Sequence, residues 1–254
     1  MKIVVKDLET NHNISQESDL HIFFKWIWIV AWLVVGLFIF FIFLWNILVN
    51  YFSIEDEKKY FPDVISEFNI DENKTKKLKN LLWNNFKYEI AVARDDIENA
   101  YALPGWTIII TDSLLNEIKY ENSLLLIIWH EVWHIENRDV FKAFVTNMPI
   151  AILLSILWIG WDFDLTFLLS GTSDIYSKTV ESDADKKGLD FLYNIKGEVW
   201  CSLYFFEKRS WLWENIWSLL SGHPMTSGRI NNIKKEIRIK WYPENNDCKL
   251  LKLK

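Results

Sequence analysis

Trp26 to Trp45 is an unbroken run of 20 residues without a charge, WIWIVAWLVVGLFIFFIFLW. At about 1.5 Å per residue, a helix of that length reaches about 30 Å, the thickness of the hydrocarbon core of a bilayer. Aromatic residues stand at both ends, where interfacial belts form, and Lys25 can extend its ammonium group to the headgroups. The apolar core of a signal peptide is shorter, and no small-residue cleavage site follows. The run predicts one membrane-spanning helix within residues 22–49. A polar segment, 1–21, precedes it, and one domain, 51–254, follows. The orientation stays open, because Lys2, Lys6 and Lys25 lie before the helix and Lys58 and Lys59 after it.

Composition excludes several classes of protein. Half of the 254 residues are hydrophobic and 24% are charged, which is incompatible with intrinsic disorder. The net charge of -6, without a Lys/Arg cluster, argues against binding nucleic acid. Two cysteines, Cys201 and Cys248, are too few for a disulfide scaffold, and they can pair or stay free. One ratio is unusual: 15 Trp stand against 8 Gly. An ordinary glycine share of about 7% gives roughly 18.

The domain reads as α+β and mainly helical. A helix is expected around Glu72–Phe86. Short β segments follow at Tyr88–Ala93, Glu98–Leu103 and Thr107–Thr111, with a tight turn at Pro104-Gly105. Asn122-Ser123 can cap a helix that continues to Phe144. Further helices are expected at 174–194, at 198–209 and in the basic part of 222–240. Phe144–Trp161 is a second uncharged run, of 18 residues, interrupted by Asn147 and Pro149.

His130-Glu131-Val132-Trp133-His134 carries the chemistry. On a helix, residues four apart share a face, so both imidazoles can reach one Zn²⁺ at about 2.0–2.1 Å. Glu131, beside them, can take a proton from a water that the zinc has acidified. A hydrolytic zinc takes a third protein ligand. Glu181 in VESDAD is the best candidate, with Asp185 on the same helix face to accept the second N–H of a ligand imidazole. A solvated acidic face explains the same residues. His223, before Pro224, can steady an oxyanion or can be an exposed loop histidine.

The pattern resembles the M48 family of zinc metallopeptidases, with its membrane-bound HtpX-like members. The resemblance covers about residues 85–240. It rests on Asn99-Ala100-Tyr101-Ala102-Leu103-Pro104-Gly105, on His130–His134 with Asn137-Arg138, on Tyr176-Ser177, on Glu181–Asp185, and on His223-Pro224 with Arg229-Ile230. It implies a zincin-like domain with a small sheet beside the zinc helix and one Zn²⁺ per chain. The implied ligands are His130, His134 and Glu181. Glu131 is the implied base, and His223 the implied transition-state stabiliser. It also implies that Asn99, Ala100, Tyr101 and Ala102 pair with an extended polypeptide substrate. The expected protein is a membrane-bound endopeptidase of the cytoplasmic or inner membrane, cutting misfolded membrane or envelope proteins. Its oligomeric state is open.

His134 and Glu181 must meet at one ion, so the chain between them crosses a membrane an even number of times. Residues 144–171 are therefore expected to form an apolar hairpin packed on the domain or dipping into one leaflet, because Leu165–Ser170 is too short to return across a bilayer.

The departures from the family pattern involve tryptophan. Trp106, Trp129 and Trp133 stand where glycine is usual, and the last two are expected to crowd the zinc helix. A genetic code that reads UGA as glycine, translated with a table that reads it as tryptophan, produces such a pattern; Trp161 and Trp200 are further positions of this kind. If these tryptophans are genuine, the alternative is a catalytically degenerate, membrane-bound zinc-binding adaptor or holdase of the same fold.

Overall fold

The computed structural model describes residues 19–61, 64–82, 86–143, 178–213, 227–243 and 247–253. The chain divides into two compact units, Met1–Trp45 and Asn46–Lys254. Helix α1 (Asp19–Tyr51) supplies the described part of the first unit and runs to the start of the second. Its stretch Leu20–Leu44 is long and apolar enough to cross a membrane. Its large side chains are exposed all round, with Trp26 at 61% and Trp32 at 68%.

The second unit begins with α2 (Ile54–Tyr60), whose N-terminus is closed by a capping box between Ser53 and Asp56. Helix α3 (Glu72–Leu81) is capped by the Asp71 carboxylate. It is shorter than the expected Glu72–Phe86, because Leu82 is already extended. Three strands follow, β1 (Glu89–Ala93), β2 (Ala100–Leu103) and β3 (Thr107–Thr111). They form one sheet in the order β1-β3-β2. β1 runs parallel to β3, and β2 pairs antiparallel with it from Ala100↔Ile110 to Leu103↔Thr107. The central strand β3 is wholly buried, which suits its run of β-branched residues. Thr111 ends it and caps α4 (Asp112–Glu117), accepting the N–H of Leu114.

Helix α5 (Glu121–Glu136) packs on β2 and against α6 (Lys178–Lys196); α8 (Ser227–Ile239) packs on α6. Between α6 and α8 in sequence lies α7 (Tyr204–Trp213). Leu124, Leu125, Ile128 and Val132 of α5 share one core with Ile108 and Ile110 of β3, Leu189 and Leu192 of α6, and Ile230 and Ile233 of α8. α6 comes close to α5 at Gly188, where an added Cβ would lie 3.1 Å from the backbone N of His130. The C-terminal segment closes over the start of α5. Tyr120 and Leu250 form a β-bridge, and a disulfide joins Cys201 to Cys248.

Two helix boundaries differ from expectation for tertiary reasons. Asn122 and Ser123 do not cap α5 but lie inside it. Their side chains donate to the carbonyls of Trp200 and Cys201, at 2.9 and 2.6 Å. α5 also stops at Glu136 rather than running to Phe144. Arg138 adopts a left-handed φ of 58° and the chain turns before resuming helix at 139–143. The apolar hairpin expected at 144–171 lies outside the described residues, as do Tyr176 and Ser177.

Candidate metal centre

α5 and α6 cross so that His130 and His134, one turn apart on α5, face Glu181 in the first turn of α6. All three are buried, and one donor atom from each lies within 4.8 Å of the others. The two Nε2 atoms are 3.1 Å apart. Oε2 of Glu181 is 3.5 Å from Nε2 of His130, and its Oε1 is 3.5 Å from Nε2 of His134. Donors at about 2.0–2.1 Å from a tetrahedral zinc stand about 3.3 Å from one another. The donor set and its spacing therefore fit such an ion.

Each ring is oriented by a carboxylate on its other nitrogen. Nδ1 of His130 lies 3.1 Å from Oδ1 of Asp185, and Nδ1 of His134 lies 3.0 Å from Oδ2 of Asp139. With Nε2 turned to the donor cluster, each Nδ1–H donates outward, which holds the ring and makes it a better ligand. Asp139 is itself held by the amide of Asn137, at 2.7 Å.

Behind the cluster stands Arg229, near the start of α8. Its Nε and Nη2 donate to the two oxygens of Asp185 at 2.8 and 2.6 Å, and its Nη1 lies 2.7 Å from Oε2 of Glu181. One guanidinium thus compensates two buried carboxylates. Burial works to raise the pKa of Asp185, but Arg229 outweighs it and holds the group below the usual carboxylate range. Burial likewise opposes a charge on His130, yet hydrogen bonds to Asp185 and Glu181 push its pKa up to about 9. A metal ion at these nitrogens competes with the proton.

Glu131 is turned differently from its neighbours. Its carboxylate is buried, and its Oε2 has no hydrogen-bond partner among the described residues. A buried carboxylate oxygen ordinarily accepts from a donor, so this one can take a hydrogen bond from a further group.

The geometry brings together His130, Glu131, His134, Glu181 and Asp185. His223 lies outside the described residues. Asn99, Ala100, Tyr101 and Ala102 run into and along the edge strand β2, which packs on α5. Two residues were not assigned from sequence. Asp139 falls five positions after His134, beyond the helix end, where no helical periodicity points to it. Arg229 stood in the quoted His-Pro…Arg-Ile pattern without a role. Trp129, expected to crowd the helix, stacks its ring on Phe191 with centroids 4.9 Å apart.

The sequence pattern of peptidase family M48 matches residues 74–237. A mitochondrial metalloendopeptidase OMA1 of Arabidopsis thaliana is 30% identical over 120 residues, covering 45% of this chain and 23% of that protein. The OMA1 of Schizosaccharomyces pombe is 26% identical over 168 residues, covering 63% of this chain and 48% of that protein. The chain thus spans about a quarter and about half of the length of these relatives. With the two-histidine, one-glutamate cluster in place and the matched pattern extending over most of the chain, the protein belongs to peptidase family M48.

Proposed function

We propose that this protein is a membrane-anchored, zinc-dependent endopeptidase. The observation that carries the reading is the buried triad of His130, His134 and Glu181, with donors 3.1–3.5 Å apart, next in sequence to a buried Glu131 oxygen that has no hydrogen-bond partner among the described residues. Zinc, when held there, supplies Lewis-acid activation of a water and of the scissile carbonyl. The chain's own residues do the rest. His130, His134 and Glu181 hold the ion, while Asp185, Asp139 and Arg229 fix their orientation. Glu131 takes a proton at its free oxygen and returns it to the leaving amine. β2 offers an edge to an extended polypeptide, a mode in which main-chain hydrogen bonds outweigh side-chain identity. His223 is assigned to the oxyanion by the resemblance alone.

The exposed apolar helix α1 supports the anchor, and the names of the relatives support the endopeptidase. That the substrates are misfolded membrane or envelope proteins rests on the resemblance. Zinc per chain measured by atomic spectroscopy, alongside hydrolysis of unfolded casein, tests the proposal. Glu131→Gln should retain one zinc and lose turnover by about 10²–10⁴-fold. Undiminished turnover in that variant would refute the assignment of the base. Bound zinc with no turnover in the unaltered chain would favour the degenerate adaptor.

A further inference from the structure

Four non-glycine residues adopt left-handed backbone among the described residues, and two of them are tryptophan: Trp106, with φ 69°, and Trp241, with φ 54°. Left-handed backbone brings the Cβ against the following carbonyl, and for a bulky side chain it is a rare outlier. The Trp241 indole takes no part in holding its backbone, whereas the half-buried Trp106 indole lies against Tyr88 and under the ammonium groups of Lys58 and Lys87.

Trp241 ends helix α8. The N–H of Tyr242 donates to the carbonyl of Ile237, and the N–H of Trp241 donates to that of Arg238. This pair of bonds is a Schellman motif, with Trp241 at the first position past the cap, the place glycine takes most often. The apolar contact that accompanies the motif is supplied by Ile237 and Tyr242, which pack on the core. The Trp241 side chain is 89% exposed and adds nothing to the packing.

Trp106 closes the β2–β3 hairpin. Gly105 before it has φ 82°, so two successive residues are left-handed, as in short hairpin loops built from glycine. The turn sits so close to Phe61 that a Cβ on Gly105 would lie 2.8 Å from its carbonyl oxygen. The Nε1 of Trp106 is buried with no hydrogen-bond partner among the described residues, and the same is true of Trp133, between the two histidine ligands. A buried indole N–H ordinarily finds an acceptor. Trp129 differs in its ring contacts, stacked on Phe191 and packed against Phe86, and it is left out of the inference.

We infer that residues 106, 133 and 241 are glycine in the protein as its own cell makes it, encoded by UGA codons which that cell reads as glycine. One decoding rule accounts for a cap, a hairpin and a ligand helix that share no other cause. It also shifts the 15 Trp against 8 Gly toward the ordinary glycine share. The inference is independent of proteolysis, since the cap at Trp241 plays no part in the metal centre.

Peptide mass mapping of the protein purified from its source cell, together with the codons of the gene, is the test. Glycine at 106, 133 and 241, each on a UGA codon, is the expected result. Tryptophan at 106 and 241, or UGG codons there, would overturn the inference. A second measurement asks whether the backbone is built for glycine. In the full-length chain carrying tryptophan at all three positions, Trp241→Gly should raise the Tm by about 2–4 °C. A lowered or unchanged Tm would show that the cap does not call for glycine, and the structural basis of the inference would fall.

Discussion

Helices α1 and α5 both carry large apolar side chains around much of their circumference, and their surroundings are opposite. α1 exposes Trp26, Trp32, Leu33 and Phe43 by 60% or more. α5 buries every residue from Glu121 to Val132. A helix that is hydrophobic all round must be covered by protein or by lipid. α5 is covered by the sheet and by α6. α1 carries the length and composition that a bilayer covers. The comparison also shows what each burial permits. α5 holds two buried histidines whose nitrogens are met from outside the helix by Asp185, Asp139 and Glu181, with Arg229 compensating Asp185 and Glu181. α1 has no charge from Trp26 to Trp45, where lipid would supply no partner.

The same substitution in the two helices tests this contrast most severely. Ile128→Asp, at a fully buried position, should abolish folding, seen as loss of cooperative melting and of bound metal. Leu33→Asp should leave the second unit folded. It should weaken membrane insertion by about 2.5–3.5 kcal/mol, read as the fraction recovered with membranes. If both variants behave alike, the two helices share one environment and the contrast fails.

A smaller effect probes the partners of α5. Asp185→Ala leaves Arg229 buried beside a single carboxylate and should cost about 3–5 kcal/mol in chemical denaturation. Asp139→Asn keeps the shape and should weaken zinc binding by about 10–100-fold with little change in melting. Equal zinc affinity in that variant would remove Asp139 from the site. Smaller again is Gly188→Ala. The new Cβ would press on the backbone of His130 at 3.1–3.3 Å, so a loss of about 1–3 kcal/mol is expected. A gain in stability there would mean that α5 and α6 are not in close contact.

The pH dependence sharpens the comparison without altering a residue. The folded pKa of His130 is raised from 6.5 to about 9, so the metal-free pairing with Asp185 and Glu181 is complete below about pH 6.5. That contribution disappears as pH rises through about 9. Zinc competes with the same proton, so its affinity should increase over the same interval. Melting of the metal-free protein and zinc titrations at several pH values should therefore move in opposite directions. Parallel movement would show that the proton and the metal do not share His130.

Much of the site was legible because its signals are local. The i, i+4 spacing of His130 and His134, and of Glu181 and Asp185, follows from helix geometry alone. So does the alternation of strand and turn from Tyr88 to Thr111. The turn at Pro104-Gly105 needs only the conformational habits of two residue types. Asp139 and the role of Arg229 were not legible, because each acts on a residue of another element or past a helix end. Asn122 and Ser123 misled for the same reason: their polar groups serve the carbonyls at 200 and 201 rather than their own helix. The left-handed cap at Trp241 was hidden because the usual signal, glycine, is not written there.

The sequence by itself determined the apolar N-terminal helix, the His-Glu-Val-Trp-His pentapeptide and the family pattern, since composition, periodicity and short-range spacing are properties of the chain before it folds. Only the tertiary structure decided that Glu181 meets the two histidines and that Arg229 neutralises the carboxylates behind them. It alone showed that, among the described residues, one buried oxygen of Glu131 has no hydrogen-bond partner. Those contacts join residues tens of positions apart, and they depend on how closely α6 can approach α5. Gly188 at the crossing leaves room for that approach, through packing that no local pattern encodes.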